Sequence, residues 1–121
     1  MSLTGFIRRP DRAALGSDEE VKRQISTHFP GVNFTFQAEE PPAMRDMRQR
    51  LNLSDDSPWS VPYPRHFGDI RSPSGWVIEF EFVAGPSVPW ISSTAYGKTA
   101  GLDETFERME KATGWETYYP S

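Results

Sequence analysis

The chain has 121 residues, no cysteine and a formal charge of −4 at pH 7. That length suits one domain that buries a core without covalent staples, and the missing thiols exclude disulfide frameworks, thiolate metal sites and cysteine nucleophiles. The acidic balance argues against general phosphate-backbone binding, for which a basic stripe is the expected footprint. No segment is apolar enough for a signal peptide or a membrane span, so a cytoplasmic location is the expectation.

In chain order, residues 1 to 16 read as an irregular arm, with Arg8, Arg9 and Arg12 around Pro10 and with Phe6 and Ile7 tacking it to the core. Ser17-Asp-Glu-Glu20 has the form of a capping box, in which Ser17 accepts from the amide of Glu20 and Glu20 reaches back. Val21, Ile25 and His28 or Phe29 follow at helical spacing, so a helix is predicted from about Asp18 to Phe29, ending before Pro30. Val32 to Gln37 alternates as a half-buried strand does, with Val32, Phe34 and Phe36 on one side. A second helix opens at Pro42, with Met44, Met47 and Leu51 along one side and Arg45, Arg48 and Arg50 over the rest.

Residues 53 to 74 carry Pro58, Pro62 and Pro64, which argue against a central strand, interleaved with Trp59, Tyr63, His66 and Phe67. The predicted structure is a proline- and aromatic-rich loop lying over the sheet as a flap. Leu102, Phe106 and Met109 then form the inner stripe of a last helix, Gly114 ends it in the left-handed conformation, and Trp115 folds back in the manner of a Schellman cap. A short final strand is expected near Thr117 to Tyr119.

The strongest signal is the hairpin, Trp76 to Ala84 followed by Trp90 to Tyr96. Trp76, Ile78, Phe80 and Phe82 share one face and Val77, Glu79, Glu81 and Val83 the other. A four-residue turn, Gly85 to Val88, sets Phe80 against Ser93 and Ile78 against Ala95. It also leaves a polar face in which Glu81 meets Ser92 and Glu79 meets Thr94, bracketed by Trp90 and Tyr96. A five-residue turn inverts the second arm, because one residue of slip exchanges the faces. The first register is preferred, since the second buries hydroxyls that need partners.

Catalytic signatures are weak. Glu79 and Glu81 would stand about 7 Å apart along a strand, near the lower limit for an inverting glycosidase pair, yet nothing else in the chain suits a sugar hydrolase. Gly97-Lys98-Thr99 lacks the glycine a phosphate loop needs five residues earlier. The two histidines fall in no metal-ligand spacing, and neither a metal nor a cofactor is expected.

The end of the chain, Leu102, Phe106, Met109 and Thr113-Gly-Trp115 followed by tyrosines, resembles the C-terminal helix of some small bacterial immunity proteins. The expected fold is α+β: an antiparallel sheet of three to four strands, two main helices on one face, and the flap. The expected function is non-catalytic binding that masks a protein partner, as an immunity or inhibitor protein does. Trp90, Tyr96, Glu79, Glu81, Ser92 and Thr94 form the binding face, and the acidic charge favours a basic partner. The alternative is a small enzyme or ligand-binding domain with its pocket under residues 57 to 74, using Trp59, Tyr63, His66 and Asp69. Self-association at a sheet edge is a third reading.

Overall fold

A computed structural model of the chain describes residues 2–51, 61–73, 75–97 and 101–118. The elements run β1 (Ser2–Arg8), α1 (Asp18–His28), β2 (Asn33–Gln37), α2 (Pro42–Arg50), β3 (Arg65–Arg71), β4 (Trp76–Val83), β5 (Ile91–Gly97), α3 (Leu102–Thr113) and β6 (Glu116–Tyr118). The class is α+β, as the sequence predicts. All strands join one antiparallel sheet of six, in the order β2-β3-β4-β5-β1-β6, rather than three or four.

Both added strands come from segments predicted to be irregular. The arm supplies β1, which pairs with β5 on one side and β6 on the other. The flap supplies β3, which sits between β2 and β4. Its prolines stand just before the strand, so they remove no ladder hydrogen bond. Residues 53–60 of the expected flap, Trp59 among them, lie outside the described residues, as do Ser74 and Tyr119.

The hairpin adopts the preferred register: Ile78 pairs with Ala95, Phe80 with Ser93, Glu79 with Thr94 and Glu81 with Ser92. Its connection is not a simple four-residue turn. Val88 leaves the hairpin to bridge Gly16, and its amide and carbonyl bond to Gly16 and Leu15 at 2.8 Å each. Val88 and Leu15 are thereby buried, and the connection is anchored to the start of α1.

One sheet face builds the core. Ile7, Ile78, Phe80, Phe82, Ile91 and Ala95 meet Val21 and Ile25 of α1 and Phe106 and Met109 of α3 in one buried cluster. Phe29, just past α1, holds the layers together: its ring centroid lies 5.2 Å from Phe80, 5.5 Å from Phe106 and 6.2 Å from Trp76. At β3 the inner face is thin, because Gly68 faces the core. The ring of Phe34 fills that space, so close that a Cβ on Gly68 would stand 2.7 Å from it.

The helix ends follow the sequence only in part. Ser17 Oγ accepts from the Glu20 amide at 3.2 Å, but the Glu20 carboxylate turns to Arg23 and Gln24 instead of reaching back. Half of the capping box is formed. Ser17→Ala should therefore cost about 1 kcal/mol, the usual worth of a single N-cap bond, and urea unfolding of the two proteins would measure it. At the end of α3 Gly114 is left-handed, as predicted. The hydroxyl of Thr113 donates to the carbonyl of Met109 and accepts from the amide of Trp115, at 2.6 and 3.1 Å. That side-chain bridge leads Trp115 into the core, where it is 2% exposed.

Candidate functional site

The two main helices lie against the inner face, and alternation sends every second side chain of the sheet to the other one. On this outer face the register lines up cross-strand rows. One row reads Asp69, Glu79, Thr94 and Thr4; the next reads Phe67, Glu81, Ser92, Phe6 and Tyr118. Tyr96 lies opposite Val77, one step beyond the first row.

The face is closed at one end and open at the other. Around Arg65 it is covered: the guanidinium stacks 4.2 Å above the Tyr63 ring, donates to Gln37 Oε1 at 2.7 Å and pairs with Glu81 Oε2 at 2.8 Å. Ser92 is buried here too. Burial pushes the Glu81 carboxyl above the ordinary range, and Glu79 adds to this, against the pull of Arg65. Arg65 neutralises the carboxylate only in part.

The open end is Asp69, Thr4 and Tyr96, all exposed, with Glu79 and Thr94 half-exposed. Directly opposed cross-strand side chains stand about 5 Å apart, and like charges there destabilise a sheet. Asp69 and Glu79 are such a pair. Among the described residues neither forms an ion pair. The Tyr96 hydroxyl is held up from its ordinary pKa by partial burial, by the Glu79 charge and by the hydrogen bond it donates to Glu79. The result is a carboxylate pair beside an exposed aromatic ring.

Five of the six residues expected on this face are there: Glu79, Glu81, Ser92, Thr94 and Tyr96. They divide between the two ends, however, with Glu81 and Ser92 in the covered part. Trp90 immediately precedes β5 and is half-buried. Two contributors were not anticipated. The sequence puts Asp69 in the expected pocket and Arg65 at no site; both are placed by β3, whose alternation sets them on this face.

Of the described residues of the expected pocket, His66 and Asp69 lie on opposite faces of the sheet. Asp69 is on the outer face, whereas His66 is on the inner one, where its Nε2 lies 2.8 Å from Asp18 Oδ2. Burial pulls the Asp18 carboxyl up, but the hydrogen bond from His66 and those from the backbone of Gly85 and Glu19 outweigh it and leave it below the ordinary value. His66 thus ties β3 to the first turn of α1. Tyr63 stacks under Arg65, and Trp59 lies outside the described residues.

At the far side of the same face, Arg8 lies 4.7 Å from the Tyr118 ring centroid and 5.0 Å from that of Phe6, and those two rings stack at 5.3 Å. The cluster fastens β6 to β1. No group of three His, Asp or Glu able to hold a metal ion occurs among the described residues, and no described helix is long and apolar enough to cross a membrane. Comparison with protein families, with curated proteins and with solved structures finds no match to this chain.

Proposed function

We propose that the chain is a non-catalytic protein-binding module that masks a partner in the manner of an immunity or inhibitor protein, and that the open end of the outer sheet face is its binding surface. The observation that carries this reading is the opposed Asp69–Glu79 pair beside exposed Tyr96. A like-charged pair at adjacent strands is a local cost, and no ion pair among the described residues offsets it. A lysine or arginine from a partner offsets it, and Tyr96 offers that cation an aromatic face. The partner surface is therefore basic, which agrees with the acidic chain charge.

The test begins with the partner isolated on the wild-type chain, after which affinities are measured with purified proteins. Tyr96→Ala and the double change Asp69→Asn with Glu79→Gln should each weaken binding about tenfold or more, as loss of interface anchors does. Association should also slow as salt is added. Thermal unfolding should stay within a few degrees of wild type. Unchanged affinity in both variants would sink the proposal.

A further inference from the structure

Among the described residues no strand pairs with the outer side of β2 or of β6, and these two edges are built differently. β6 is three residues long and begins with Glu116, so it offers little backbone to an incoming strand. β2 is five residues, Asn33-Phe34-Thr35-Phe36-Gln37, without a charge or a proline. Edge strands are ordinarily kept from pairing by short length, charged side chains, proline or a bulge. Of these β2 has only modest length.

Large apolar side chains on this strand and in the segment that follows it are also exposed. Phe36, on the inner face against His66, is 57% exposed. In the next element, Met44 and Met47 of α2 and Leu51 just past its end are 45%, 58% and 62% exposed. At roughly 200 Å² per large side chain, these four leave on the order of 400 Å² per copy. A symmetric pair that buries these side chains together with both backbone edges would reach about 1,000 Å² in total, the lower bound for specific association.

We propose that β2 is the seam of a homodimer, in which two copies pair β2 antiparallel to β2 about a two-fold axis through Thr35. The strand is complementary to itself in that register. Thr35 meets Thr35, Phe34 meets Phe36, and Asn33 meets Gln37, so an aromatic pair falls on each side of the axis and no like charges oppose one another. Phe36 is then covered by Phe34 of the second copy, and the two sheets become one of twelve strands. This surface is distinct from the open end around Tyr96, and it goes beyond the partner-binding reading without depending on it.

Sedimentation velocity over a concentration series reads the association, and introduced cysteines read the register, since the chain has none of its own. Wild type should show a dimer, and Phe36→Lys should raise the dissociation constant at least tenfold while keeping its far-ultraviolet dichroism. Thr35→Cys, at an exposed position, should oxidise to a covalent dimer, because directly opposed residues stand about 5 Å apart, within disulfide reach. Asn33→Cys should not, because the register separates the two copies of that residue by about 14 Å. Monomer up to about 1 mM, or a dimer in which Thr35→Cys cross-links no faster than Asn33→Cys, overturns the proposal.

Discussion

Phe80→Ala should lower the stability of this chain by about 3–5 kcal/mol, the range for removing a large aromatic side chain from a closed core. Phe80 is fully buried in the middle of β4 and touches Phe29, the residue through which α1, α3 and the sheet meet. The cavity is bounded by β strands on both sides and by a helix above, so it cannot readily collapse. For a domain of this size the midpoint of thermal unfolding should fall by roughly 10–20 °C. Calorimetry would measure it, and a loss below about 1 kcal/mol would mean that this layer is not the core.

Arg65→Met is the second large effect, and it depends on pH. Arg65 is 7% exposed and supplies the described counter-charge to Glu81. Removing one member of a buried pair strands the other charge, a loss of about 3–5 kcal/mol when both are fully enclosed. Because the Glu81 side chain is 28% exposed, water screens part of this, and about 2–3 kcal/mol at pH 7 is expected. The direction with pH follows from Glu81 being raised in the folded state. The folded protein holds that proton more tightly, so the favourable contribution is complete below the ordinary glutamate range and is lost as pH rises through the raised value. Without Arg65 the value rises further, and the loss extends to higher pH. Denaturant curves at about pH 4 and pH 7 should show the Arg65→Met defect shrinking in acid, and adding Glu81→Gln should recover most of it at neutral pH. A defect of equal size at both pH values would show that Arg65 acts through packing alone.

What could be read from the sequence was whatever carried its own periodicity. The helices of Val21 and Ile25 and of Leu102, Phe106 and Met109, and the strand Trp76 to Val83, show their buried faces in the residue types themselves. The hairpin register was legible because only one alignment places Ser93 and Ala95 against aromatic and branched residues. β3 was not, because its inward positions are His66, Gly68 and Ile70, and the volume missing at Gly68 is filled by Phe34 from the neighbouring strand. Arg65 is its best-buried charged residue and was invisible for the same reason: its partners Gln37 and Glu81 come from two other strands. β1 was hidden by the opposite fault. Its outward positions include Phe6, which stacks on Tyr118, so large apolar residues stand on both faces and the alternation is blurred. The outer face was thus partly foreseen from β4 and β5, and its opposed carboxylates emerge only when β3 is set beside them.

The place of β1 in the sheet also orders events during synthesis. Its seven residues are flanked by β5 and β6, and its register joins Ser2 to Tyr96 and Ile7 to Ile91. Once made, β1 must wait for more than eighty further residues before its partner β5 has emerged. β2, β3 and β4 each pair with the next strand in the chain, so a four-stranded meander can form as translation proceeds. The closing of β1 onto β5, and then of β6 onto β1, is left to the end. A nascent chain stalled before Ile91 should therefore be protease-sensitive across β1 while β2 to β4 already resist. Release of the full chain should protect both together.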